Sequence, residues 1–392
     1  MKHQKTYGLF ALIAIFFVSI NLRPAVTSVG PLLNTIADDL TVSSTQMSLL
    51  TSVPVFCMGL FASLAMPMTK RFGDRMAITL LMALIGIATL VRIFVPTYGA
   101  LLVTSFFAGV GIAAIAPIMS GFIKKHFPQK TASVIGLHSF GIGFGATISA
   151  GFTTVFFDWS SAWSFALGIW GVLAAVAIVI WMLATKGSET SEEAVQSDVA
   201  QVGRNPWKTR RAWILLLFFG VQTSLFFSMT TWLAPIAQEA GFSVATAGTV
   251  LTVMTIVQLF GNLTIPAMLE KYPNRLTWIT ALTAVALVGG ILLWSGGNTF
   301  IWAGSMLIGL AMSGLFPIGI LLPLDDARND EEANTWSSMV MSGGFMMSAI
   351  IPLVIGVLYD ATGTHNTSVL MILAQIVALF ILIPFMKAKK AA

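Results

Sequence analysis

Arg23 is the residue whose position in this sequence most needs a chemical explanation. It lies about fifteen residues into the first long apolar segment, residues 8–28, or roughly 22 Å along a helix that rises 1.5 Å per residue. At the centre of a membrane a charge costs about 2.5–3.5 kcal/mol, so we expect Arg23 to face water, a ligand or a partner. A guanidinium offers its N–H donors in a planar fork that matches flat anions. The residue therefore predicts a binding site for an anionic or strongly electronegative solute.

Ser19 and Thr27 extend this site if the first apolar segment forms one continuous helix. Their spacing of four residues on either side of Arg23 puts all three on one helical face, which makes a polar stripe. One alternative stays open at this point. Arg23 lies in the outer half of its segment, and its long side chain could instead reach the outer membrane interface.

Two further ionisable residues fall within apolar segments. His138, in segment 132–155, is the candidate for carrying a proton, because imidazole changes its charge near neutral pH. The alternative is that His138 is a packing residue. Arg92, near the outer end of segment 76–95, is a candidate second cation, and snorkelling or a structural pair explains it equally well.

The composition indicates which solvent surrounds these side chains. Of the 392 residues, 56% are hydrophobic and only 9% are charged, against roughly 25% charged in ordinary globular proteins. So few charges cannot cover the surface of a water-soluble fold of this size. The solvent must be lipid, and a membrane-spanning helix then needs about 20 mostly apolar residues. Twelve segments qualify: 8–28, 46–66, 76–95, 99–122, 132–155, 162–184, 212–233, 245–266, 277–295, 299–322, 336–357 and 366–386.

The distribution of basic residues predicts the orientation. With both termini in the cytoplasm, 19 of the 21 Lys and Arg residues fall in cytoplasmic segments, and the external loops contain none. The two that remain are Arg23 and Arg92, while all 16 acidic residues fall in loops or at segment ends. We therefore predict a multi-pass protein of the cytoplasmic membrane with both termini inside.

The two halves of the chain repeat each other at an offset of about 200 residues. GVGIAAIAPI at 109–118 matches GLAMSGLFPI at 309–318, and TKRFGDR at 69–75 matches LEKYPNR at 269–275. Six spans return the chain to the same side, so the copies are parallel. This predicts an all-α membrane fold of two pseudo-symmetric six-helix bundles, 1–184 and 212–392, joined by a cytoplasmic linker, 185–211.

Other classes of chemistry have no support in the sequence. The single Cys57 and four scattered histidines provide no metal-ligand set, and no catalytic triad, metalloprotease motif or phosphate-binding loop occurs. The basic residues form short clusters between apolar runs, which does not indicate nucleic-acid binding. We therefore predict no enzyme activity, no metal, no cofactor and a monomer in the bilayer.

Several stretches resemble a known family. NLRPAVTSVGPLL (21–33), GVGIAAIAPIMSGFIKKHFP (109–128) and WLAPI (232–236) are similar to the cyanate/2-nitroimidazole transporter (CynX/NimT) family. AMPMTKRFGDR (65–75) looks like a variant of the cytoplasmic signature of the major facilitator superfamily, to which that family belongs. The resemblance implies a major facilitator fold with a central cavity lined by helices 1, 4, 7 and 10.

The same resemblance implies roles for further residues. On helix 7 it favours Gln222, which shares a face with Phe226, as a substrate contact, and it leaves Gln258 on helix 8 as a weaker candidate. Buried amides also serve simply as interhelical hydrogen bonds. In the signature loop, Asp74 and Arg75 match the residues that pair with neighbouring helix ends and control gating.

The main functional hypothesis is a secondary transporter for a small anionic or polar, electron-rich solute, with coupling to protons left open. Cyanate, nitrate, small carboxylates and nitroimidazoles fit that description. Two rivals remain: an exporter of lipophilic compounds, favoured by the 20 Met and 28 Phe, and a membrane sensor that transports nothing. A buried arginine without a buried acid does not suit the exporter.

Overall fold

The protein folds almost entirely into helices. The computed structural model describes residues 2–186, 204–272 and 274–386, so most of the predicted linker lies outside the described residues. Two compact units divide the chain, one formed by Met1–Val42 with Leu49–Ala194 and the other by Ser43–Ser48 with Val195–Ala392. We call them unit 1 and unit 2. In each unit, the linker side is the end at which the chain enters or leaves the linker, and the opposite end is the far side.

The described helices follow one another with short connections. Single turns of 3-10 helix occur at Gly30–Leu32, Ala62–Leu64, Pro206–Lys208 and Ile383–Met386. The helices are α1 (Lys2–Ile20), α2 (Pro24–Thr27), α3 (Leu33–Leu40), α4 (Ser44–Leu60), α5 (Ala65–Phe94), α6 (Tyr98–His126), α7 (Thr131–Ser160), α8 (Trp163–Gly168), α9 (Trp170–Ala184), α10 (Arg210–Glu239), α11 (Val244–Lys271), α12 (Arg275–Ser295), α13 (Asn298–Asp326), α14 (Asp330–Ser348), α15 (Ile350–Thr362) and α16 (Asn366–Leu382).

These helices confirm the predicted all-α membrane fold. Eleven helical segments of the described chain are long and apolar enough to cross a membrane, and α4, with 17 residues, occupies the place of the remaining predicted span. Several of the helical segments are longer than the sequence predicts. The first runs from Gly8 to Leu40, 33 residues in place of the predicted 8–28, because α2 and α3 continue it.

The internal repeat also appears in the packing. A Cβ placed on Gly109 would lie 2.5 Å from Cα of Pro54, and one placed on Gly309 would lie 2.6 Å from the carbonyl oxygen of Met254. Both glycines and both partners are 200 positions apart. The same helix pair therefore packs through the same glycine in each unit, which lets two backbones approach without an intervening side chain.

The first membrane segment is interrupted, and this corrects the expectation of a continuous helix. Proline at position 24 has no N–H to give to the carbonyl of Ile20. The preceding turn tightens instead, with Asn21 N–H donating to Val18 O (3.2 Å) and Leu22 N–H to Ser19 O (3.1 Å). The chain passes through residues 21–23 as a turn and resumes as α2.

Helix α7 packs directly against this interruption. A Cβ placed on Gly145 would lie 2.1 Å from the carbonyl oxygen of Ile20, and one placed on Gly141 would lie 2.6 Å from Cβ of Ser19. Only glycine at both positions lets α7 approach the interrupted segment this closely. The amide of Asn21 adds a bond of its own, donating to Phe17 O at 2.7 Å.

The far side of unit 2 contains a buried histidine. The backbone N–H of His365 donates to both carboxylate oxygens of Glu239 at 3.0 Å, and the His365 ring stacks on Tyr359 with centroids 4.1 Å apart. The ring is 3% exposed, and Nδ1 lies 3.0 Å from the Ser368 hydroxyl. Burial lowers the pKa of His365 from 6.5 to about 4, against the opposite effect of the Glu239 charge.

Replacing Gly145 with alanine should destabilise unit 1, because the new methyl group would overlap the Ile20 carbonyl and force backbone to move. We expect a loss of roughly 1–3 kcal/mol or more, seen as a lower apparent Tm of the purified protein. The matched control is Gly136→Ala on the same helix, where the added Cβ has no heavy atom within 4 Å. An apparent Tm for Gly145→Ala equal to that of the control would contradict the close approach.

His365 should make the protein sensitive to acid. Because its pKa is lower in the folded state, the stabilisation is fully present above pH 6.5 and is lost as the pH falls towards 4. By pH 5 we expect a loss of roughly 1–2 kcal/mol. His365→Phe keeps the stacking on Tyr359 but cannot titrate, so its apparent Tm should fall less between pH 7.5 and 5. The control His126→Phe should retain the full acid-dependent fall, and equal falls in all three proteins would exclude His365 as its source.

Candidate functional site

Arg23 lies at the interruption of the first membrane segment. It occupies the N-cap position of α2 and is half-buried. Its carbonyl oxygen accepts hydrogen bonds from the N–H of Val26 (2.9 Å), the N–H of Thr27 (3.0 Å) and the Thr27 hydroxyl (3.0 Å). These bonds anchor the backbone of Arg23 to α2. The guanidinium is therefore attached to a defined turn and not to the middle of a continuous helix.

Ser19 and His138, both predicted from the sequence, are in direct contact. The Ser19 hydroxyl lies 2.5 Å from Ile15 O and 2.7 Å from His138 Nδ1. A carbonyl oxygen only accepts, so the single hydroxyl proton must go to Ile15. It follows that His138 donates from Nδ1 to Ser19, which leaves Nε2 as the nitrogen that takes up a further proton.

Thr27, the third member of the predicted stripe, also contacts α7, at a position eleven residues after His138. Its hydroxyl lies 2.6 Å from the Ser149 hydroxyl, and both side chains are buried. Ser19 and Thr27 thus bind α7 on either side of Arg23. Their hydroxyls form interhelical contacts that hold the interrupted backbone, and with it Arg23, against α7.

Arg92 is fully buried and donates three hydrogen bonds within unit 1. Nη1 donates to Ala25 O (2.9 Å), Nε to Thr104 Oγ1 (3.2 Å) and Nη2 to Ser105 Oγ (3.1 Å). In a regular helix the N–H of Val29 would donate to the Ala25 carbonyl, but here it donates to Val26 O. The Ala25 carbonyl therefore needs another donor, which Arg92 provides. Arg92 therefore holds α2 in place. Snorkelling does not describe it, since none of its side chain is exposed.

Sequence reasoning missed these partners of Arg92. The signal was available in the pair Thr104 and Ser105, which follow Arg92 by twelve and thirteen residues across the short connection between α5 and α6. Two adjacent hydroxyls at the level of an intramembrane arginine are suitable acceptors. The carbonyl of Ala25 has no such signal, because it becomes available only through the fold.

The predicted residues of unit 2 have different surroundings. Gln222 is 1% exposed and donates to its neighbour Thr223 at 2.7 Å, while Phe226 is half-buried and packs edge-on against Phe227. Gln258 is half-buried on α11. Asn262, one turn further on α11 and outside the predicted site, has a buried Oδ1 without a hydrogen-bond partner. Unit 2 therefore presents amides and an aromatic ring, with no cation at these positions.

An open cavity of about 640 Å³ lies on the linker side of unit 2. It does not include Gln222, Phe226 or Gln258. Its polar lining comes mainly from one face of α14 and from the turn before α10. The lining residues are Arg204, Asn205, Pro206, Trp207, Asn334, Thr335, Ser338, Met339 and Ser342.

The predicted gating residues lie where α5 bends. Gly73 has φ 72° and ψ 162°, which interrupts the helix immediately before Asp74 and Arg75. Arg75 donates to Met182 O at 2.9 Å, in the last turn of α9, and accepts from the indole N–H of Trp181 at 3.1 Å. Asp74 is half-buried. The equivalent residue in unit 2, Arg275, instead forms an ion pair with Asp325 at 3.2 Å.

The arrangement around Arg23 consists of hydrogen-bond donors and hydroxyls. No cluster of three or more metal-ligating side chains occurs among the described residues. The polar groups of unit 1 are donors and hydroxyls arranged around one turn. Such a set suits reversible, non-covalent binding of an electron-rich molecule.

Comparisons with known proteins identify the family. The Major Facilitator Superfamily model matches residues 9–331 and 214–391. The cyanate transport protein CynX of Escherichia coli (strain K12) is 30% identical over 90% of this chain and 91% of that protein, and the 2-nitroimidazole transporter of the same organism is 24% identical over 93% of each.

Solved structures agree at the level of the fold. The crystal structure of the nucleoside transporter NupG superposes with a TM-score of 0.74, at 14% identity, over 98% of this chain and all of that one. At this identity the likeness shows the fold alone. The family model and the two relatives confirm the resemblance predicted from residues 21–33, 65–75, 109–128 and 232–236. The chain belongs to the Major Facilitator Superfamily, as a multi-pass membrane transporter that resembles the CynX/NimT family and is not an enzyme.

Proposed function

We propose that this transporter moves a small anionic or flat, electron-rich solute across the cytoplasmic membrane by alternating access, and that Arg23 binds it. The observation that carries the proposal is the position of Arg23. The residue lies at an interruption of a membrane segment, where backbone irregularity is tolerated only if protein or a water-filled cavity surrounds it. A half-buried guanidinium at such a turn suits a site that a solute enters and leaves.

The charge distribution of unit 1 supports an anion. Its described acidic residues Asp38, Asp39 and Asp158 lie near helix ends and Asp74 lies at the kink in α5, while Arg23 and Arg92 lie within spans. Arg92 donates only to a carbonyl and two hydroxyls, so its positive charge is not neutralised by these partners. The charge of Arg92 adds to a positive potential at the turn, and electrostatic forces act strongly where water is scarce.

The solutes named for two relatives have a shared chemistry. Cyanate and 2-nitroimidazole are small and concentrate nitrogen and oxygen acceptors in a flat or linear frame. A guanidinium can donate two parallel N–H bonds to such a frame. Phe226, Gln222 and Gln258 remain the candidate contacts of unit 2, with an aromatic surface and amide donors.

Coupling to protons, where it occurs, is assigned to His138. Its Nδ1 proton is committed to Ser19, so a second proton at Nε2 would create a cation on α7 beside Ser19, which precedes Arg23 by four residues in the chain. A positive imidazolium would favour an anion in the same site. Proton and anion would then bind together, which is the requirement for symport.

Charge and fork geometry at position 23 should both affect solute binding. Lysine keeps the charge but not the planar donors, and glutamine loses the charge, so affinity should fall in the order Arg, Arg23→Lys, Arg23→Gln. We expect roughly 1.5–3 kcal/mol in total for a lost charge-assisted hydrogen bond. Binding of cyanate, nitrate and 2-nitroimidazole is measured by calorimetry on purified protein.

The matched control is Arg71→Gln, the same substitution at an exposed residue near the linker-side end of α5, and it should bind as the parent does. Membrane yield reports folding. An Arg23→Gln protein that binds as tightly as the parent would end the anion-site proposal. Binding with no flux in proteoliposomes would indicate a sensor, and binding of lipophilic cations in place of anions would indicate an exporter of such compounds.

His138 has a separate test in proteoliposomes. His138→Gln keeps an N–H donor for Ser19 but cannot take up a proton, so accumulation driven by a pH gradient should be abolished. Counterflow exchange of labelled against unlabelled solute needs no net proton movement and should continue at a similar rate. Unchanged pH-driven accumulation in this variant would return His138 to a packing role and leave the Arg23 site unaffected.

A further inference from the structure

An exposed aromatic and basic surface lies at the start of α10. It consists of Trp207, Lys208, Arg210 and Trp213, and we call it the Trp207 patch. The transport site uses none of these residues. Trp207 is 58% exposed and Trp213 is 43% exposed.

The two rings are held in a fixed arrangement. They pack edge to face with centroids 5.7 Å apart and planes at 72°. The indole N–H of Trp213 donates to the carbonyl oxygen of Trp207 at 3.0 Å. Because Asn205 accepts from the N–H of Trp207, the turn that presents the first ring is fixed as well. Exposed rings held in this way indicate a surface for contact with something outside the chain.

The basic residues around these rings divide into two kinds. Arg204 forms an ion pair with Glu332 and lies 4.7 Å from the ring centroid of Trp336, and Arg211 forms an ion pair with Asp326 at 2.6 Å. Those two charges are neutralised within unit 2. Lys208 and Arg210 are exposed and belong to no ion pair among the described residues.

The position along α10 indicates which solvent the patch meets. Leu217, one turn after Trp213, is 40% exposed on a helix that spans the membrane, so this face points towards lipid tails. Arg210 precedes Trp213 by three residues, or about 4.5 Å along the axis. Tryptophan favours the boundary between tails and headgroups, and the two cations then lie at headgroup level.

We propose that the Trp207 patch binds the headgroup of an anionic phospholipid, with Lys208 and Arg210 on the phosphate and the two indoles at the tail boundary. The patch joins two unneutralised cations to two exposed rings at the end of a lipid-facing helix. A neutral zwitterionic lipid would satisfy the rings but not the charges. The proposal does not depend on the transported solute.

The test uses the full chain, purified in detergent and titrated with phosphatidylglycerol or phosphatidylcholine in mixed micelles. The thermal shift gives a half-saturating concentration, and native mass spectrometry gives the number of bound lipids. We expect phosphatidylglycerol to bind more tightly to the parent, and the double variant Lys208→Gln/Arg210→Gln to lose about thirtyfold. That change corresponds to about 1 kcal/mol for each cation near a membrane surface.

A matched pair of variants separates this site from general charge effects. Lys70→Gln/Arg71→Gln removes two exposed cations in unit 1 and should leave phosphatidylglycerol binding unchanged. Lys208→Arg/Arg210→Lys keeps the charges and should also bind as the parent does. Trp213→Leu should weaken the binding of phosphatidylglycerol and of phosphatidylcholine to a similar degree.

Three results would overturn the proposal. One is unchanged phosphatidylglycerol binding in Lys208→Gln/Arg210→Gln, and another is an equal loss in Lys70→Gln/Arg71→Gln, which would indicate a response to net charge. The third is an equal thermal shift from inorganic phosphate at the same concentration. That outcome would identify a small-anion site in place of a lipid site.

Discussion

The structure of unit 1 depends on one constraint, which is that backbone polar groups within a membrane must find partners inside the protein. Pro24 removes the N–H that would have bonded to Ile20 O, and the helix cannot continue unchanged. The turn at 21–23 tightens. The side-chain amide of Asn21 donates to the Phe17 carbonyl, and the guanidinium of Arg92 donates to the Ala25 carbonyl. Arg23 lies in this turn, and its carbonyl oxygen accepts from the N–H groups of Val26 and Thr27.

The two units share their packing but differ at this point. Gly109 with Pro54 and Gly309 with Met254 form the same helix contact 200 residues apart. The position equivalent to Pro24 is Ser224, and α10 continues through it as a regular helix. A proline in one copy therefore converts one of two equivalent helices into an interrupted segment with a cation. Unit 2 has the amide of Gln222 at the corresponding level of α10.

A similar divergence affects the arginines on the linker side. Arg275 pairs with Asp325, but the residue equivalent to Asp325 in unit 1 is Lys125, which would repel Arg75. Arg75 instead donates to Met182 O, at the negative end of the α9 dipole. At equivalent positions, Arg275 thus forms an ion pair with Asp325 and Arg75 forms a hydrogen bond to the backbone of α9. The role of either contact in gating stays a prediction.

The sequence by itself determined the class of fold, because hydrophobic length, charge scarcity and the repeat leave few alternatives for a chain in lipid. It also identified Arg23, Arg92 and His138, since any ionisable residue in an apolar segment is conspicuous. The tertiary structure alone decided their partners. Periodicity placed Ser19 and Thr27 beside Arg23 on one continuous helix, whereas both hydroxyls bind α7 around an interruption. A carbonyl such as that of Ala25 has no signature in sequence, because every residue has one and only the fold decides which lose their N–H partners.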